Sequence, residues 1–171
     1  LSNGDDKPYE LNISWWSAME DSSRDSNRFQ FERFILTQLL VMALKGVPAF
    51  YLPALLASQN DITSFSMSGQ RRDLNREKFK LENLLSVLNN PESSANKNLK
   101  YLRNAMDVRS QLEQFHPCSE MKCLSKGRSD IVVIKRGKGP ESVFAIHNMT
   151  ENKINYQLND NDLQEIIDND F

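Results

Sequence analysis

Gly46 to Asp61, GVPAFYLPALLASQND, decides the fold, because this stretch passes from helix to strand in a single step. Upstream, Phe29 to Leu44 is apolar on nearly every face, as a helix buried on most sides would be. Gly46 suits a left-handed, helix-ending position, and Pro48 forbids further helix. Ala49, Phe50, Tyr51 and Leu52 then predict a short buried strand over 47–52. This is one αβ step of a larger α/β enzyme, and 171 residues hold too few such steps to close a sheet. The sequence therefore reads as a piece of a protein. A start at Leu1 rather than Met, and an end at Phe171 just after an acidic run, read the same way.

Working outward, residues 1–13 read as a loop and Trp15 to Met19 as a short helical turn presenting two indoles. Asp21 to Ser26 is a polar linker whose last serine can cap a long helix over 27–45. Beyond the strand, Asp61 to Asn75 is Ser-rich, contains Gly69 and reads as a loop. A helix from Glu77 to Leu88 carries Phe79, Leu81, Leu84, Leu85 and Leu88 at helical spacing and stops at Asn89-Asn90-Pro91. Ser93 or Ser94 caps a further helix to about Phe115, with Leu99, Leu102, Ala105, Met106 and Leu112 inward.

After His116-Pro117 the apolar period changes from about 3.6 to 2. Met121–Ser125, Asp130–Lys135, Ser142–Met149 and Lys153–Leu158 read as four short strands joined by turn-rich connections. Asp160 to Ile167 reads as a weak helix or turn. The chain is thus expected to be α+β, with helices and one buried strand over 1–116 and a small antiparallel sheet over 117–171.

A composition of 39% hydrophobic and 26% charged residues is that of an ordinary globular protein. A formal net charge of -2 offers no electrostatic argument for nucleic acid or an anionic membrane. Lys45, Gly46 and two prolines interrupt Val41 to Leu56, so it does not read as a membrane span. The N-terminus LSNGDDKP lacks a signal-peptide pattern. Cys118 and Cys123 make neither a disulfide framework nor a metal pair. A reduced, cytoplasmic setting is the expectation, and the two N-x-[ST] sequons at Asn12 and Asn148 read as chance matches.

Helical HExxH, P-loop, GxGxxG and nucleophile-elbow patterns are absent. His116 and His147 lack metal-spaced partners and read as structural. The best polar constellation is Gly69 to Arg76, GQRRDLNR, beyond the C-terminal end of the buried strand, where α/β barrels place their ligand sites. An arginine fork offers rigid paired donors for sugar hydroxyls, carboxylates or phosphates. The plain alternative is a solvated loop in which Asp73 pairs Arg71 or Arg76. Tyr9 and Glu10, beside Trp15 and Trp16, form a second candidate, since aromatic faces stack on sugar rings. The indoles read equally as packing residues.

P-Y-E-L-N-I-S-W-W-S-A-M (8–19), G-V-P-A-F-Y-L-P-A-L-L-A-S-Q-N-D (46–61) and R-D-L-N-R-E-K (72–78), in this order, resemble sucrose phosphorylase and its close relatives. These are the retaining glycoside phosphorylases of the alpha-amylase superfamily, which include sucrose-6-phosphate and glucosylglycerate phosphorylases. The resemblance implies the last αβα elements of a (β/α)8 TIM barrel, followed by part of a small β-sheet C-terminal domain. It implies double displacement through an aspartate nucleophile, a glutamate acid/base and a stabilising aspartate. Retention generally asks for two carboxylates about 5 Å apart. By position all three catalytic acids are expected upstream of Leu1, so no acidic residue of this chain is given a catalytic role. The chain alone is expected to be inactive.

The same resemblance places Arg72 as a donor-subsite clamp on the glucosyl unit, and Tyr9 on the mobile loop shaping the acceptor and phosphate site. Glu10 stands where sucrose phosphorylases proper have glutamine. Y-E-L-N is the form in relatives acting on glucosylglycerate or phosphorylated sucrose. No cofactor or metal is implied. Inorganic phosphate is the co-substrate, the partner is a small carbohydrate, and the oligomeric state is left open. Two alternatives stand beside this reading: part of an alpha-glucosidase or amylase-type hydrolase, and a non-catalytic carbohydrate-binding module.

Overall fold

In a computed structural model, residues 11–20, 27–125 and 127–158 are described, and they form an α+β arrangement. Tyr9, Glu10, the expected cap Ser26 and the expected weak helix over 160–167 lie outside the described residues. The described residues contain five α-helices: α1 Gln30–Ala43, α2 Leu52–Leu55, α3 Ile62–Ser68, α4 Leu81–Asn89 and α5 Ser94–Gln111. Three strands follow, β1 Met121–Cys123, β2 Ile131–Arg136 and β3 Val143–Asn148. Two compact units result. One joins the chain up to residue 30 to residues 50–99, and the other joins residues 31–49 to residues from 100 onward.

Three sequence expectations are corrected. Residues 47–51 belong to no strand ladder, although Tyr51 has extended backbone (φ -78, ψ 137), and α2 begins at Leu52. A β-segment without neighbouring strands remains a single extended run. The expected loop over 61–75 contains α3 and a 3-10 turn, Arg71–Asn75. Asp61 caps α3 by accepting from the Ser64 amide at 2.9 Å, which offsets the modest helix propensity of the Ser/Thr-rich run. The fourth expected strand, 153–158, joins no ladder, so the sheet has three strands.

In the first unit, Ala57, two residues after α2, lies in the left-handed region at φ 49. The Ser58 amide returns to the Pro53 carbonyl at 2.9 Å, closing the αL-terminated turn. The fully buried Asn98 donates from Nδ2 to the carbonyls of Ala54 (3.1 Å) and Leu55 (2.7 Å), so side-chain amide replaces the missing helical donors. Sequence periodicity marked Leu99 and Leu102 on α5. The polar Asn98 takes an interior place in this unit; Leu102 and Met106, in the part of α5 that belongs to the second unit, are fully buried and 40% exposed.

In the second unit, β1, β2 and β3 form an antiparallel meander with Lys122 opposite Lys135 and Val132 opposite His147. The central strand is buried at Ile131, Val133, Ile134, Lys135 and Arg136. Two guanidiniums terminate α1. Arg109 donates to the carbonyls of Met42 (2.5 Å) and Gly46 (2.9 Å). Arg136, wholly buried, donates to Ala43 (3.0 Å), Leu44 (2.7 Å), His116 (3.0 Å) and Glu120 (3.3 Å). The Phe115 ring lies 5.3 Å from one guanidinium carbon and 5.4 Å from the other. Orphan carbonyls at a helix C-terminus carry partial negative charge, so cations with several donors suit this place. Burial lowers both arginine pKa values, and for Arg136 the neighbouring Arg109 charge adds to the effect.

Gly137 follows β2 at φ 82, and a Cβ there would lie 2.8 Å from Gln114 Cγ. Gly137→Ala therefore combines left-handed strain with a clash near the base of a side chain. It is expected to lower stability by about 1–3 kcal/mol, read from the urea midpoint.

His147 is buried on β3 and its Nε2 has no hydrogen-bond partner among the described residues. Burial depresses its pKa below the ordinary imidazole value. The unfolded chain then binds more protons than the folded one below about pH 6.5, so stability falls as pH drops through that value and levels off below the folded pKa. Urea midpoints of the wild type and His147→Leu between pH 7.5 and pH 5 check this. The wild-type curve is expected to drop more steeply than that of the variant.

Candidate functional site

The Arg72 turn is built by a closed excursion of the chain within the first unit. Asp61 starts α3, Gly69 ends it at φ 67 with its amide on the Phe65 carbonyl at 2.8 Å, and the 3-10 turn carries Arg71 and Arg72. The positive φ is why glycine stands at 69. The Asp61 amide donates to the Leu74 carbonyl at 2.8 Å, and the Asp73 amide to Gln70 at 3.0 Å. The ends of the excursion therefore meet, as in a compact surface loop that positions its own tip. Hydrogen bonds from Ser64 hold the Asp61 carboxyl below the usual carboxylate range, assisted by the Lys78 charge.

Arg71, Arg72 and Arg76 are exposed, and Asp73 is half-buried. Arg71 and Arg72 are thus adjacent exposed residues of the turn, and a guanidinium is able to donate to sugar hydroxyls or to an anion. Of the second candidate group, Trp16 is buried (7% exposed) and Trp15 is open (40%), so the two indoles differ in role. Trp16 lines a cavity of about 510 Å³ with Ser58, Gln59, Lys78, Phe79 and Asn83. Tyr9 and Glu10 lie outside the described residues, so the geometry here concerns Arg72 and its frame alone.

Sequence reasoning missed Asn60 and Asp61 as organisers of this region. Asn60 Oδ1 accepts from the Ser14 amide at 2.7 Å, and the Asn60 amide donates to Ser17 Oγ at 3.1 Å. The available signal was an Asp eight residues before Gly69, a cap-to-cap pattern for a two-turn helix. Among the described residues, no three His, Cys, Asp or Glu side chains are grouped to hold a metal ion. None of the described helices is long and apolar enough to cross a membrane.

No family model matches the chain. Among curated proteins it is 31% identical over 145 residues to a glucosylglycerate phosphorylase of Allomeiothermus silvanus, a match covering 84% of this chain and 26% of that protein. This chain is a homologue of the glucosylglycerate and sucrose phosphorylases. A glucosylglycerate phosphorylase of Escherichia coli is 28% identical over 115 residues, covering 67% of the chain and 20% of the enzyme. A sucrose phosphorylase of Streptococcus mutans is 23% identical over 155 residues, covering 90% and 29%. The chain thus spans between 20% and 29% of the length of these phosphorylases.

Proposed function

We propose that this chain is the C-terminal part of a retaining glycoside phosphorylase. That enzyme transfers a glucosyl unit from glucosylglycerate or a sucrose-like α-glucoside to inorganic phosphate, giving α-glucose 1-phosphate. The observation that carries the reading is the match over 84% of the chain to a protein named glucosylglycerate phosphorylase. In this reading residues 1–116 supply the end of a (β/α)8 barrel and residues 117–171 part of a β-domain. Val47, Tyr51 and Leu52, 79%, 57% and 53% exposed, are apolar side chains that neighbouring barrel elements would cover.

Arg72 clamps the glucosyl unit, Tyr9 shapes the acceptor side, and Glu10 disfavours fructose as acceptor. The catalytic carboxylates lie on polypeptide upstream of Leu1, phosphate is the second substrate, and neither metal nor cofactor is required. The protein works in the cytoplasm. An assay of the isolated chain and of the longer polypeptide containing it, with glucosylglycerate, sucrose and sucrose 6-phosphate in phosphate buffer, tests this. Turnover is expected from the longer polypeptide only. Turnover by the isolated chain would refute the placing of the reactive acids.

A further inference from the structure

Asn60 and Asp61 are neighbours that grip different stretches of the first unit. Asn60 holds residues 14–17, through the Ser14 amide on its Oδ1 (2.7 Å) and its own amide on Ser17 Oγ (3.1 Å). Ser14 Oγ also accepts from the Ser17 amide at 3.1 Å, so this small turn is closed around Asn60, with Ser14 buried. Asp61 holds the other stretch: its amide donates to Leu74 O at 2.8 Å while its carboxylate caps α3. In sequence, Ser14 comes four residues after Glu10, and Leu74 two after Arg72.

We propose that Asn60 is a positioning residue that, with Asp61, fixes the Arg72 turn to residues 14–17 of the same unit. The proposal rests on the reading of Arg72 as a substrate-contacting group. A displacement of such a group by about 1 Å can cost on the order of 100-fold in rate. The closed turn orders its own tip, but its internal bonds alone do not tie Arg72 to residues 14–17. A shared anchor between the two segments does, because Asn60 cannot shift toward one of them without carrying Asp61 and the Leu74 bond with it.

Residue-resolved amide hydrogen exchange on the full chain tests the coupling without needing substrate. Asn60→Ala is expected to speed exchange about tenfold at Ser14, the loss of one net hydrogen bond. It is also expected to speed exchange at Asp61 and across residues 70–76. Asn60→Asp keeps an oxygen acceptor and is expected to restore protection at both places. If Asn60→Ala fails to fold, Ser17→Ala, which removes only the acceptor of the Asn60 amide, is expected to show the same paired loss in milder form.

Wild-type protection at 70–76 in the folded Asn60→Ala protein overturns the proposal, and so does Asn60→Asp restoring Ser14 but not 70–76. In Ser17→Ala, a loss confined to 14–17 does the same. Failure of the phosphorylase reading would show separately, as no α-glucose 1-phosphate from the longer polypeptide while the exchange pattern stands.

Discussion

Replacing Arg136 by methionine is expected to destabilise the chain by about 3 kcal/mol, the cost of leaving the Ala43 and Leu44 carbonyls without their donor. The guanidinium is wholly buried and serves four carbonyls, Ala43, Leu44, His116 and Glu120. Methionine would refund the desolvation cost of the cation, since a thioether loses little on leaving water. The loss at Ala43 and Leu44, at the negative end of α1, outweighs that gain, whereas the His116 and Glu120 carbonyls keep the amides of Ser119 and Gly137. Arg136→Lys keeps the charge but not the planar fork, and is expected to lose about half as much. Urea denaturation of the three proteins checks the order. A methionine variant within about 1 kcal/mol of wild type would mean that water or backbone shifts satisfy those carbonyls.

Arg72→Ala, made in the longer polypeptide, is expected to lower kcat/KM for phosphorolysis by about 100-fold, or roughly 3 kcal/mol of transition-state stabilisation. In the proposed role Arg72 would hold the glucosyl unit in its reactive pose, so the loss should appear in kcat as well as KM. Arg72→Lys should recover only part of the activity, because an ammonium cannot make paired parallel bonds. Arg71 provides the control. It is equally exposed on the same turn, yet Arg71→Ala is expected to change kcat/KM less than about 3-fold if Arg72 alone faces the donor. Equal losses in the two variants would show that the turn acts through its general positive field.

The main elements were legible where the apolar period was long. Phe29 to Leu44 announced α1, and the period change after His116 announced the sheet. The strand over 47–52 shows the limit of that reading: backbone extension is encoded locally, but a ladder needs partners that 171 residues do not supply. Lys153 to Leu158 alternates as a strand should and still joins no sheet, because alternation reports a face and not a neighbour. The α3 segment was concealed by three serines and a threonine, and revealed only by Asp61 and Gly69 at its two ends.

Arg136 was illegible for a different reason. I-V-V-I-K-R reads as a strand ending in solvent, whereas its acceptors at Ala43 and Leu44 lie 93 and 92 residues away in the chain. At the candidate site, the Arg72 turn stood out by charge and by its place after the extended segment. The bonds that frame it cross 46 and 13 residues: Ser14 reaches the side-chain oxygen of Asn60, and Asp61 reaches Leu74 through backbone groups that carry no sequence signature.

The most direct measurement is phosphorus NMR of the longer polypeptide incubated with glucosylglycerate and inorganic phosphate. The account predicts a new signal of α-glucose 1-phosphate that grows only when donor and phosphate are both present. Free glucose released at the same rate without phosphate, and no sugar phosphate with it, would identify a hydrolase and contradict the account.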